Sequence, residues 1–190
     1  MGTRGLLGLI IGGKRRGIYN HWDSYPSGLG KDIVKFILSL KPEQWDEMVK
    51  ILNEITWVSQ NDEADEATAE KYLALGYGRK RLLEFDDEVD SSWTDLLNDC
   101  RGADNLIEMQ KGNLKHAIEA VHFHQDTLFC EWAYFIDFEK RTLESYQALD
   151  LLDTVSFDDL KEVGLKYIER LEKACRADAE EEEAMVEKDH

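Results

Sequence analysis

The sequence predicts an α+β fold, two β-hairpins forming one antiparallel sheet packed with several helices, on three observations. Two β-rich runs, residues 3–11 and 16–23, flank the glycine-led turn Gly12-Gly13-Lys14-Arg15. A second pair, Cys130 to Asp137 and Thr142 to Tyr146, flanks Phe138-Glu139-Lys140-Arg141. Between and after these pairs, apolar residues recur at helical spacing. At 190 residues the chain is long enough for one ordinary core. Residues 1–176 are therefore expected to form a single domain, with 177–190 an acidic, frayed tail.

After the loop Pro26-Ser27-Gly28-Leu29-Gly30, the spacing of Ile33, Val34, Ile37 and Leu40 predicts a first helix. Pro42 suits the first turn of a second, whose stripe is Trp45, Met48, Val49, Leu52 and Ile55. Residues 61–70 are acidic and poor in apolar side chains, which predicts an exposed excursion, and Gly76-Tyr77-Gly78 would break any helix over 67–75. Ser92, with Asp95 three residues on, is placed to cap a helix over 93–100 that Gly102 stops. A short helix over Asp104 to Gln110 follows. Ser156 and Asp159 open a final helix whose apolar face runs from Phe157 through Leu160, Val163, Gly164, Tyr167, Ile168 and Leu171 to Ala174.

The formal charge of −17 is unevenly spread, with 43% hydrophobic residues arguing against disorder for most of the chain. Residues 1–60 carry 8 Lys/Arg against 6 Asp/Glu, whereas the remainder carries 15 against 34. Such an acidic body repels phosphate backbones and anionic bilayers, so neither nucleic acid nor membrane is an expected partner. Cys100, Cys130 and Cys175 are odd in number and widely spaced, which fits a reducing, cytoplasmic setting better than a disulfide framework. The apolar run at 6–11 is too short for a membrane span or a secretory leader.

The densest chemistry lies in residues 19–30. If the strand ran on to residue 23, Tyr19, His21 and Asp23 would share one face, and Ile18, Asn20 and Trp22 the other. His21 would then be a base and Asp23 its orienter, with Ser24 or Tyr25 offering a hydroxyl for catalysis and Tyr19, Asn20, Ser24 and Tyr25 contacting a ligand. The alternative is that Asn20, His21 and Asp23 bond the loop backbone and lock its turn while Trp22 and Tyr25 pack. Gly28 and Gly30 precede a helix whose amides could attract an anion, although the spacing is not that of a phosphate loop, and a tight helix entry explains the glycines as well. Lys14-Arg15-Arg16 could collect an anion or simply form a solvated turn.

On the second hairpin, Glu131 and Asp137 share a strand face and could meet His21 if the hairpins are neighbours, giving a carboxylate and imidazole cluster. His122 and His124 could share a face with Asp126 or Cys130 near by, but their spacing matches no zinc pattern, and no metal or cofactor is expected.

The pieces Gly2-Thr3-Arg4-Gly5, Tyr19 to Gly30, and Cys130-Glu131-Trp132-Ala133-Tyr134 together resemble a family of small uncharacterised proteins, found mainly in fungal, bacterial and viral sequences, that has no settled activity. The resemblance covers the first hairpin, its loop and helix, and the late strand. It implies that the two hairpins form one structural unit, and it implies no catalytic role. The expectation for function is an intracellular domain with a small-ligand or hydrolase-like site at 19–30. The alternative is a non-catalytic protein-interaction or structural domain.

Overall fold

Two glycines decide where the first hairpin turns. Gly12 and Gly13 take φ of 54° and 74°, the left-handed pair that matches the twist of a two-residue hairpin loop. Strand β1 (Gly5–Ile11) therefore passes directly into β2 (Lys14–Asn20), with Lys14 already opposite Ile11. The turn is thus shorter than the four residues expected. A computed structural model describes residues 2–78 and 91–174 of the chain; the tail and its expected fraying lie outside the described residues.

The second hairpin joins β5 (Trp132–Asp137) to β6 (Thr142–Gln147), and Asp137 stabilises its turn by accepting the Lys140 amide at 2.8 Å. A further strand, β7 (Asp150–Ser156), continues antiparallel to β6. Its sequence does not announce a strand, because only Val155 of its seven residues is buried and no alternation develops. The five strands lie in the order β2-β1-β5-β6-β7. Within each hairpin the pairing is antiparallel, but the hairpins meet through a parallel pair, Gly5 beside Trp132 to Ile10 beside Asp137. The sheet is therefore mostly, not wholly, antiparallel. The long chain between β2 and β5 supplies the crossover that parallel pairing needs.

One face of the sheet carries Leu7, Leu9, Ile18, Tyr134, Ile136 and Leu143, all in the main apolar core. Against it pack α1 (Lys31–Ser39) and α2 (Pro42–Asn53), which bury the predicted stripes Ile33, Val34 and Ile37, and Trp45, Met48 and Leu52. The expected final helix is two: α6 (Phe157–Val163) stops where Gly164 takes φ of 58°, and α7 resumes over 166–174. Both halves still reach the core, through Phe157 and Leu160 and through Tyr167 and Leu171. Tyr167 anchors α7 to the sheet by a 3.0 Å bond between its hydroxyl and the buried hydroxyl of Ser145.

The middle of the chain is less exposed than its composition suggests. Asp65 caps α3 (Glu66–Ala74) by accepting the Thr68 amide, and the helix buries Ala69 and Tyr72 while its charges stay outside. Ser92 caps α4 (Trp93–Leu97), which ends before Cys100, and α5 spans Asp104–Gln110 as predicted. Strands β3 (Thr56–Val58) and β4 (His116–Ile118) form a small parallel sheet. Just after β4, the Ala120 amide donates to the Gly17 carbonyl at 2.7 Å, which covers part of the open edge of β2.

The other sheet face is thinner, with Leu6, Ala133, Phe135 and Tyr146 under a short turn of helix at residues 121–125. Gly8 must be glycine there, since a Cβ would stand 2.3 Å from the Phe135 ring. That absence of side chain lets Arg15 cross the sheet to lie over Phe135 at 4.3 Å and pair with Glu144 at 2.6 Å. Arg16 likewise pairs with Glu119 at 2.8 Å. Two of the three basic residues at the hairpin are thus engaged in holding the fold. Among the described residues, no helix is long and apolar enough to cross a membrane.

Candidate functional site

Strand β2 ends at Asn20, and Asp23 takes φ of 53°, so the alternation that would put His21 and Asp23 side by side stops short. Tyr19 does remain on the face opposite Ile18 and Asn20. Its hydroxyl lies 2.7 Å from His21 Nδ1, and its ring meets Phe123 edge-on at 4.9 Å. His21 is exposed, and its ring turns edge-on to Trp22 at 4.2 Å. Asp23 accepts instead from the Tyr25 hydroxyl at 3.2 Å, and its carboxylate pushes the Tyr25 phenol above its ordinary value. The imidazole and the carboxylate thus have separate partners.

Asn20 organises the turn. It is 7% exposed, and its amide nitrogen donates to the Trp22 carbonyl and to Ser24 Oγ at 2.5 and 2.8 Å. Ser24 is completely buried, and its amide bonds the Thr3 carbonyl at 3.1 Å. A hydroxyl so placed serves the loop and offers no surface to a substrate. Gly28 and Leu29 donate their amides to the Tyr25 and Asp23 carbonyls at 2.9 and 2.8 Å. The donors that an anion would want at this helix entry are therefore used inside the turn. A Cβ on Gly28 would meet the Asp23 carbonyl at 2.0 Å, and one on Gly30 the Tyr134 ring at 2.9 Å, so both glycines permit close packing. Trp22 and Tyr25 do not pack into the core: they are 50% and 38% exposed.

The two hairpins are neighbours, but their acidic residues are not gathered. Glu131 is at the same end of the sheet as Asn20, where its carboxylate accepts the Arg4 amide at 3.3 Å. Asp137, 2% exposed, sits at the far end of β5 in its own hairpin turn. The expected cluster of His21 with both carboxylates does not form. What does converge is the set of segments at residues 2–5, 19–30 and 130–134: Gly5 pairs with Asn20 on one side and Trp132 on the other, and the Glu131 amide bonds the Arg4 carbonyl.

Two hollows adjoin Asn20. A cleft of about 880 Å³ lies between the 22–36 segment and residues 101–110, with Trp22, Tyr25, Asp23, Asp32 and Asp104 on its walls. A smaller cavity of about 380 Å³ opens on the other side, bounded by Tyr19, Asn20 and His21, by Ile18, and by Leu97, Asn98, Arg101 and Asn105, with Ala117 and Ile118 of β4 closing it. Arg101 and Asn20 border both. Asn105, 4% exposed, commits its amide nitrogen to the carbonyls of Gly102 and Cys100 at 3.0 and 3.3 Å. Cys100 also borders the cavity, but burial pushes its thiol up to about 12, which leaves it unreactive near neutrality.

The residues at 97–105 and 117–118 are the part of this site that the sequence hides, since they lie far along the chain and match no motif. The nearest available signal is Asn105 itself, a poor helix former placed within a short helix.

The histidines of residues 121–125 are held by the fold. His124 Nε2 lies 3.1 Å from the Ala148 carbonyl, and burial lowers the ring's proton affinity, with Arg15 adding to the effect. Among the described residues, no group of three or more His, Cys, Asp or Glu side chains is placed to hold a metal ion. Comparison with protein-family models, with curated proteins and with solved structures finds no match for this chain.

Proposed function

We propose that this chain is a small-ligand-binding domain whose site is the cavity of about 380 Å³ beside β2, with Tyr19, Asn20 and His21 on its wall and the loop that follows them locking that wall through Asn20. One observation carries the reading. Two asparagines that are more than nine-tenths buried, Asn20 and Asn105, border a hollow within the size range of small-molecule sites. Each spends its amide nitrogen on its own surroundings, which leaves its carbonyl oxygen as the acceptor that a ligand can use. Tyr19 and His21 add a hydroxyl and an imidazole at the rim. A lining of this kind, largely apolar with a few fixed polar groups, suits binding and orientation.

Hydrolytic chemistry has less support, because the Ser24 hydroxyl is buried and His21 is bonded to Tyr19. The same Ser24–Asn20 network favours a second reading, in which residues 19–30 serve only to lock the fold. The two are compatible, since a locked loop is what a binding wall requires.

The test is fragment binding followed by amide chemical shifts. Thr94 is exposed at the cavity edge, so Thr94→Trp can occlude the hollow without entering the core. The reading expects fragments that shift residues 18–20 and 117–120 in the wild-type protein and cease to do so in the variant, with the melting temperature unchanged. A library in which no compound shifts those residues would leave the lock as the sole role.

A further inference from the structure

The lining of the small cavity is informative in what it lacks. Asp and Glu make up 40 of the 190 residues, and the neighbouring cleft has three of them on its walls, Asp23, Asp32 and Asp104. Among the described residues the small cavity has none. Its ionisable groups among the described residues are His21, Cys100, Tyr19 and Arg101, and of these Arg101 is the permanent cation.

Arg101 is held in position without being neutralised. Its Nε donates to the Asn98 carbonyl at 2.9 Å and its Nη2 to Asn98 Oδ1 at 3.1 Å, which fixes the guanidinium plane. Among the described residues it forms no ion pair, so Nη1 keeps its donors for another group. The rest of the described lining is uncharged, apolar at Ile18, Leu97, Ala117 and Ile118 and polar at Gln60, Thr94 and the three asparagines. In a protein so rich in carboxylates, an arginine oriented by Asn98 beside a hollow whose described lining has no acid suits a ligand that brings its own carboxylate.

We infer that the cavity takes a small organic monoanion, a carboxylate with a short apolar body, its charge on Arg101 and its hydrocarbon against Ile18, Leu97, Ala117 and Ile118. This rests on the cavity being a ligand site, as proposed above. One fixed guanidinium matches one carboxylate, and a doubly charged phosphate would need cations beyond the one that the described residues of the lining provide. A cationic ligand would face the guanidinium with no carboxylate among the described lining residues to balance it, and suits the acidic cleft instead. The hollow also limits size, since about 380 Å³ lies at the lower end of the range for small-molecule sites.

The experiment compares three matched probes on the full chain at pH 7: 4-methylpentanoate, its primary amide, and the corresponding amine. Binding is read from the amide shifts of Ile18, Ala117, Ile118 and Ala120. The carboxylate is expected to bind about tenfold more tightly than the amide, as one charge-assisted hydrogen bond allows, with the amine weakest. Arg101→Gln should bring carboxylate and amide to equal affinity, and Arg101→Lys should restore only part of the difference because it keeps the charge and loses the planar fork. The wild-type ratio decides even if a variant misfolds. Equal binding of amide and carboxylate, preference for the amine, or full carboxylate affinity in folded Arg101→Gln would each overturn the anion assignment while leaving the cavity as a site. No shift at those residues with any probe would remove both.

Discussion

Two tyrosine–histidine pairs in this molecule have nearly the same length and opposite surroundings. In the Tyr19–His21 pair the hydroxyl lies 2.7 Å from Nδ1 at an exposed edge, and in the Tyr72–His116 pair it lies 2.8 Å away between α3 and β4. The difference lies in what else the phenol oxygen touches. Tyr72 also accepts the backbone amides of Lys115 and His116 at 3.0 and 3.1 Å. A phenol has two lone pairs and one proton, so with both lone pairs taken the proton must go to His116. That leaves His116 Nδ1 bare and puts the imidazole proton on Nε2. The ring is further enclosed, stacked on Trp93 at 4.5 Å and edge-on to Tyr72. Tyr19 has no such amide donors, and its bond to His21 can run in either direction. The same two side chains make a rigid joint in one place and an adjustable polar edge in the other.

The sharpest way to break the contrast is Tyr72→Phe. It removes the acceptor for two backbone amides and the donor to His116 in one step, while the ring keeps its packing against Tyr77 and Trp93. Unsatisfied, partly buried donors cost about 1–3 kcal/mol each, so denaturant unfolding should show a loss of about 2–4 kcal/mol. A loss below about 1 kcal/mol would mean that the Tyr72 hydroxyl contributes no more than an exposed one.

The second consequence is in pH. Burial lowers the proton affinity of His116, with Lys71 acting in the same direction and Asp65 opposing, and burial likewise lowers that of His124. Below the ordinary imidazole value of about 6.5, the unfolded chain takes up protons that the folded chain refuses. The contribution is intact above that pH and is lost as pH falls from there through the lowered folded values. Both rings are only partly withdrawn from water, so the total should be about 1 kcal/mol or less. Lys111, and then Asn113, hold the Glu108 carboxyl below its usual range, and its contribution is lost only further down, as pH falls below the ordinary carboxylate value. Loss between pH 6.5 and 5.5 is therefore the histidines'. His116→Asn should remove part of that slope, and an unchanged slope in unfolding curves across this interval would assign all of it to His124.

Much of this architecture can be read from the chain, and the reasons for the remainder are physical. The hairpins, α1, α2, the Ser92 and Ser156 caps and the 104–110 helix follow from period, turn glycines and capping residues, which are local. Strand β7 and the break at Gly164 do not. The first buries one side chain in seven, and the second needs the φ of 58° that a sequence permits but does not demand. The parallel joint between hairpins depends on the route of the long intervening chain, which no window of residues encodes. For the candidate site, the sequence points to the segment 19–30, of which Tyr19, Asn20 and His21 line the cavity, but extends the strand too far, because nothing in Asn20-His21-Trp22-Asp23 marks the positive φ at Asp23. The opposite wall, with Arg101 in the connection between α4 and α5 and Asn105 in α5, arrives from segments that are unremarkable by themselves.

The mildest change is the most informative about the adjustable pair. Tyr19→Phe deletes the hydroxyl facing His21 while keeping the ring on Phe123. Tyr19 is 40% exposed, and burial raises its phenol only against the opposing pull of Arg4, so no buried group loses its partner when the oxygen goes. Stability should therefore stay within about 0.5 kcal/mol of wild type, the usual range for surface substitutions. If the cavity binds as proposed, the same variant should weaken the wild-type fragments by a few-fold, because the rim hydroxyl and the orientation of His21 are lost together. Stability and binding would thus separate at Tyr19, where at Tyr72 stability dominates. A Tyr19→Phe protein destabilised as much as Tyr72→Phe would make both pairs structural joints and erase the distinction between them.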